Sequence, residues 1–217
     1  TGSNPSVGSS ESLTVQVGTS ITVYAQGYED GLTDPAGQAA GVECWIAIND
    51  ENTDPATWDT GLWQVATYAG DVGNNDEYTL VTPASNIGAN YVAARWRLNG
   101  SAFTYGGFNG AWDGTTNVNI ELVVNPPAND LFADAIAIAC GDSVLGSTIG
   151  ATLDESDAPD VTTVETDTPA DVDTPWVWYS FTGTGAPEIV TLSTCGTDNT
   201  DFDTELFVYT GTSGALT

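Results

Sequence analysis

The sequence predicts an all-β chain built as two tandem antiparallel β-sandwich domains of the Ig-like or jelly-roll kind. Three observations carry this. Short segments alternate apolar and polar residues with period two, as strands buried on one face do. Turn formers punctuate them throughout, with 24 glycines and 10 prolines in 217 residues. Nothing before Asn125 shows a helical period. Hydrophobic content of 41% with 10% aromatics is enough for real cores, so the charge does not signal disorder.

Taken in order, strand patterns fall at 13–17, 21–26, 42–48, 63–68, 77–81, 91–98 and 118–124, with Gly, Asn, Asp and Pro between them. Seven such segments suit one sandwich. Asn125-Pro-Pro-Ala128 ends the series, because two prolines cannot continue a central strand, and it sets domains at 1–125 and 126–217. A short helix is expected over 129–138, capped by Asn129 or Asp130, with Leu131, Ala135 and Ile138 on one face. Strand patterns resume at 144–149, 176–182, 188–193 and 204–209, around an acidic loop at 154–173. These are too few to close a sandwich, so the second domain is expected to be partial: continued further along, or completed by another chain. Thr1-Gly-Ser-Asn-Pro-Ser has no signal-peptide features and reads as the start of a mature or excised piece.

Charge narrows the function. The chain has no His, Met or Lys, and Arg95 and Arg97 stand against 30 Asp and Glu, for a net charge of −28. Such a surface repels nucleic acid and anionic membranes. No run reaches the ~20 apolar residues that span a bilayer. Without His or Lys no ordinary Ser or Cys triad can form. Paired carboxylates could still act, but the aspartic-protease pattern occurs once, at Asp59-Thr-Gly61. The expectation is a protein that is not an enzyme. Three cysteines without Cys-x-x-Cys spacing argue against zinc. Cys140 and Cys195 end elements of the same half and are expected to form a disulfide, leaving Cys44 as a buried small hydrophobe or an interchain bridge.

Aromatics in turn-rich segments, Trp58, Trp63, Tyr105, Phe108 and Trp112, are candidate ligand-binding residues. Rings flanked by Asp and Asn can stack on a sugar while amides and carboxylates hold its hydroxyls; the plainer reading is loops pinned by large side chains. Trp45 and Trp96 lie in strand patterns and read as core, and Trp176 and Trp178 share one sheet face. Arg95 and Arg97 also share a face and should pair with carboxylates such as Glu43 or Asp76, the alternative being an anionic ligand. Calcium needs six to eight hard oxygens. Asp198, Asp201 and Asp203, and Asp154, Glu155 and Asp157, space oxygens as metal loops do, without a full EF-hand pattern. Asn99-Gly-Ser101 fits the N-glycosylation pattern.

Pro127-Ala-Asn-Asp130, Trp176-Val-Trp-Tyr-Ser-Phe181 and Asp201-Phe-Asp-Thr-Glu-Leu-Phe-Val-Tyr209 together resemble the bacterial pre-peptidase C-terminal family of small jelly-roll domains. That resemblance implies a calcium site at Asn129 and Asp130 with Asp154, Glu155 and Asp157 as loop partners, and further strands after 206–209. In the first half, Val23-Tyr-Ala-Gln-Gly-Tyr-Glu29, Gly73-Asn-Asn-Asp-Glu-Tyr78, Tyr91-Val-Ala-Ala-Arg-Trp-Arg97 and Tyr105-Gly-Gly-Phe-Asn-Gly-Ala-Trp-Asp-Gly114 resemble a β-sandwich module of secreted multidomain proteins of Bacteroidota. This resemblance makes Ser143, in Asp142-Ser-Val144, an O-glycan candidate. The expected function is a segment of a secreted cell-surface adhesin or filament, stiffened by Ca²⁺, with other copies or further domains of the same surface protein as partners. The alternative is a carbohydrate-binding module pair from a secreted hydrolase, with glycans as ligands.

Overall fold

The computed structural model describes residues 2–6, 12–152, 175–187, 189–194, 204, 206–212 and 215–216. The chain divides into two compact units, Thr1–Asn125 and Pro126–Thr217.

In the first unit the seven expected segments all contain strand, and β1, β9 and β10 are added to them: β1 (Gly2–Ser6), β2 (Ser12–Gln16), β3 (Ser20–Tyr28), β4 (Val42–Asn49), β5 (Gln64–Val65), β6 (Thr67–Val72), β7 (Asn75–Pro83), β8 (Gly88–Leu98), β9 (Thr104–Gly107), β10 (Gly110–Ala111) and β11 (Ile120–Asn125). One sheet has the order β1-β3-β7-β6. The other runs β10-β9-β8-β11-β2, with β4 on β8 and β5 on β4. One edge of β8 takes β4 from Tyr91 to Leu98; β11 pairs along the start of β8 and β9 near its end. All pairs here are antiparallel except β11 with β2, which corrects the expected pattern. β2 leaves its sheet at Gly18 (φ 80°) for β3 of the other sheet, so no hairpin fixes its direction against β11.

The core lies between the sheets and follows the alternation. Ile21, Val23 and Ala25 of β3 and Tyr78 and Leu80 of β7 face Cys44, Ile46, Val92, Ala94, Trp96, Ile120, Leu122 and Val124. Cys44 serves as a buried small hydrophobe, and burial pushes its thiol well up. The single strand expected at 63–68 splits at buried Ala66, whose N–H bonds the Cys44 carbonyl (2.9 Å) while β5 joins one sheet and β6 the other. The loop after β3 is fastened by carboxylates: Gly37 N–H donates to Asp71 (2.9 Å) and Ala39 N–H to buried Asp76 (2.8 Å).

In the second unit the expected helix is replaced by one 3-10 turn, Phe132–Asp134, followed by β12 (Ile136–Ile138). An isolated helix of ten residues is marginal, and here β12 gains a parallel ladder with β13 (Tyr179–Phe181). Trp178 is buried, with Phe132, Trp176 and Tyr209 rings around it at 5.1, 6.4 and 6.2 Å. Of the expected 176–182 strand only β13 forms, and the described residues of 144–149, 188–193 and 204–209 are irregular. Cys140 is an exposed free thiol at a turn; Cys195, its expected disulfide partner, lies outside the described residues.

At Gly27, on β3, an added Cβ would stand 2.9 Å from Cζ3 of Trp96. The ring is 7% exposed and meets Tyr78 edge-on at 5.1 Å, so moving it would disturb the core contact. Gly27→Ala is expected to destabilise the first unit by about 1–3 kcal/mol. Urea unfolding followed by Trp fluorescence tests this; an unchanged or higher midpoint contradicts it.

Candidate ligand-binding face

The same alternation that fills the core sends the other half of β4 and β8 to the outer face of the larger sheet. Register pairs Glu43 with Arg97, Trp45 with Arg95, Ala47 with Ala93 and Asn49 with Tyr91. On the far side, Arg95 also pairs with Tyr105 of β9. Trp45 therefore belongs to this face and not to the expected core, since its neighbours Cys44 and Ile46 point inward. Trp96 is core, as read from the sequence.

Ala47 and Ala93 are fully buried beneath Trp58 and Trp63, which are 6% and 8% exposed. Only a small side chain at both positions lets indole rings lie close to the sheet. The loop that delivers the rings is built from two 3-10 turns, Pro55–Thr57 and Thr60–Leu62. Asp54 accepts from Ala56 N–H (2.9 Å) and Asp59 from Gly61 N–H (2.7 Å), so the Asp59-Thr-Gly61 pattern is a turn cap. Trp58 Nε1 donates to Thr53 Oγ1 (3.1 Å), and Asn119 Nδ2 donates to the Thr53 carbonyl (2.9 Å).

Around these rings lies a continuous aromatic surface. Trp58 stacks on Trp63 (5.8 Å), Trp63 meets Tyr105 (5.7 Å), and Phe103 meets Trp45 edge-on (5.4 Å). Trp45, Phe103 and Tyr105 are half-buried, and Val65, paired with Trp45, is 71% exposed. Both guanidinium groups of the chain lie here. Arg97 makes a two-point ion pair with Glu43, Nε to Oε2 at 2.6 Å and Nη2 to Oε1 at 3.1 Å. That pairing holds the Glu43 carboxyl below its ordinary range and raises Arg97. Arg95 lies 4.1 Å from the Phe103 centroid, 4.6 Å from Trp63 and 5.5 Å from Trp45. Among the described residues it has no ion pair, and its enclosed Nε has no hydrogen-bond partner. Asp76, the other carboxylate expected to pair with an arginine, faces into the sandwich from β7.

Of the five aromatics singled out in the sequence, Trp58, Trp63 and Tyr105 come together here. Phe108 packs against the main core instead, and its N–H bonds the Val118 carbonyl (2.7 Å). Trp112 is half-buried beside Gly114. Phe103 was missed, Trp45 had been read as core, and Arg95, expected to meet a carboxylate or an anionic ligand, lies among these rings. The signal was present: strict alternation with Cys44 and Ile46 already turns Trp45 toward the side of Arg95 and Arg97.

The expected metal and modification residues lie elsewhere. Asp130 is buried, its two carboxylate oxygens accepting from Thr152 N–H (2.6 Å) and Thr152 Oγ1 (2.8 Å). Asn129 Nδ2 donates to the Trp178 carbonyl (2.9 Å), and Trp178 N–H returns a bond to the Asn129 carbonyl (2.8 Å). These two residues tie chain segments together and do not of themselves make a calcium centre. No group of three or more acidic or thiol ligands converges among the described residues. Asp154, Glu155, Asp157, Asp198, Asp201 and Asp203 lie outside them. Asn99, in the β8–β9 turn with φ 50°, and Ser143 are both exposed. No helix among the described residues is long and apolar enough to cross a membrane.

No protein-family model matches the chain, and no curated protein does. Among solved structures, a Listeria monocytogenes cycloalternan-forming enzyme in complex with a pentasaccharide substrate is similar at 14% identity, over 44% of this chain and 8% of that one, with a TM-score of 0.29. An uncharacterized protein of Listeria monocytogenes EGD-e, in complex with glucose, magnesium and calcium, is similar at 15% identity, over 43% and 8%, also at 0.29. The chain thus spans a small part of either protein, and at this TM-score neither likeness bears on function.

Beside this face, Asp113 fixes the loop before β11. It accepts from the N–H groups of Thr115, Thr116 and Asn117, each at 2.9 Å, and from Thr116 Oγ1 at 2.6 Å. The Thr116 hydroxyl and these amides hold its carboxyl far below the usual carboxylate range. A folded pKa below the unfolded one means stability that is complete above about pH 4 and is lost as pH falls through the folded value. The melting temperature of wild type should therefore exceed that of Asp113→Asn at pH 7, with the gap narrowing on titration toward pH 2. A gap independent of pH would show that ionised Asp113 contributes nothing.

Proposed function

We propose that the first unit is a non-catalytic glycan-binding module and that the outer face of its larger sheet is the binding surface. The observation that carries this is a set of half-buried rings, Trp45, Phe103 and Tyr105, laid around a guanidinium that has no ion pair or hydrogen-bond partner among the described residues. Aromatic faces accept the C–H side of a sugar ring, and guanidinium N–H groups donate to its oxygens. Exposed Val65 extends the apolar surface at one edge. The absence of His and Lys from the chain supports binding without turnover. In this reading the protein works outside the cell, where a surface of −28 keeps it soluble and off nucleic acid.

A glycan array probed with the whole chain tests the proposal, followed by calorimetry on the best oligosaccharide. Trp45→Ala, with its fold checked by circular dichroism, should weaken binding by about tenfold, the loss of one stacked ring. Unchanged affinity in that variant would exclude the face.

A second reading, an adhesive or filament-forming segment, is favoured by the second unit. Among its described residues Leu145 and Ile189 are each 98% exposed, with Val208 at 68% and Ile149 at 64%. Uncovered apolar side chains of this size mark contact surfaces. Other copies of the protein would cover them, with Ca²⁺ screening the carboxylates that otherwise repel. Sedimentation in millimolar Ca²⁺ should then show assemblies that a chelator reduces and that Leu145→Asp with Ile189→Asp abolishes. A monomer under both conditions would count against this reading.

A further inference from the structure

Resting on the glycan reading, we infer that the ligand of the outer face is an acidic sugar, whose carboxylate is received by Arg95. The chain has 30 carboxylates and two cations, so an arginine that meets no carboxylate among the described residues is a product of arrangement, not of scarcity. The arrangement is visible in the register. Arg97 stands opposite Glu43, and their two hydrogen bonds use the one carboxylate on that stretch of β4. Arg95 stands opposite Trp45 on one side and Tyr105 on the other, so neither cross-strand neighbour can neutralise it.

The rings hold this cation in place without satisfying its donors. Phe103, Trp63 and Trp45 lie within 5.5 Å of the guanidinium carbon and attract it through their π faces. A ring face offers no lone pair in the plane of the guanidinium, where its five N–H groups point. The enclosed Nε is unpartnered, and Arg95 donates no hydrogen bond among the described residues. Nε itself is closed off, but the two Nη groups are open to solvent, and there a planar, two-oxygen acceptor can take two parallel hydrogen bonds. A carboxylate on a pyranose ring supplies both the acceptor and an adjacent C–H face for Trp45 or Phe103. The thirty carboxylates of the chain oppose a densely charged polyanion, so the ligand is a sparsely charged oligosaccharide, with its acidic residue at Arg95. Beyond roughly one Debye length, about 8 Å at physiological salt, the repulsion from the rest of the surface is screened.

The test uses the whole chain and an array carrying oligosaccharides with a single uronic acid, the same oligosaccharides after carboxyl reduction, and a short poly-glutamate peptide. The acidic forms should bind at least about tenfold tighter than their reduced counterparts, the scale of a charge-assisted hydrogen bond. In Arg95→Gln that preference should vanish, with acidic and reduced forms bound equally. Equal binding of acidic and reduced forms by wild type overturns the inference and leaves the glycan reading standing, and this comparison needs no variant. Retained preference in a folded Arg95→Gln overturns it as well. Binding of the peptide alone, or of nothing on the array, overturns both readings.

Discussion

The alternation of β8 is the constraint on which the first unit depends. Val92, Ala94 and Trp96 face the core, while Ala93, Arg95 and Arg97 face outward, and eight consecutive pairs with β4 fix the register. A slip by one residue would send both guanidinium groups into the sandwich and Trp96 to the surface. Burying unpaired cations costs far more than any single apolar contact returns. The two arginines therefore act as register markers as well as surface groups.

Both faces of this sheet are covered, for different reasons. The inner face meets the four-stranded sheet through ordinary aliphatic packing and the Tyr78–Trp96 ring contact. The outer face is covered in part by its own loop, which Ala47 and Ala93 admit by being small. What remains uncovered is the strip from Trp45 through Phe103 to Tyr105, with Arg95 among the rings. A strand face that is half closed by one indole loop and half open is suited to bind something flat.

The acidic surplus has a structural use beyond solubility. Asp34, Asp54, Asp59, Asp71, Asp76, Asp113 and Asp142 each accept a main-chain N–H at a turn or loop. Such bonds fasten turns and loops without any cation. Asp71 shows the coupling: bonds from Tyr68 and from Gly37 lower its carboxyl, and the same contact pushes the Tyr68 hydroxyl up to about 12.

Much of this was legible in the residues themselves. Period-two patterning located β2, β3, β4, β7, β8 and β11 but not β1, β9 or β10, and shared parity already put Arg95 beside Arg97. It did not show that 63–68 divides between two sheets, because Ala66 can turn either way until Cys44 offers a carbonyl. Nor did it show that 129–138 runs as a turn and a short strand, since the ladder with Tyr179–Phe181 is a contact some forty residues away. The all-β class, the break at Pro126-Pro127 and the scarcity of cations could be read from the residues alone, because they follow from local chemistry and counting. Which carboxylate each arginine would meet depended on strand pairing. Register across strands sets that choice, and it gave Arg97 to Glu43 and left Arg95 to the rings.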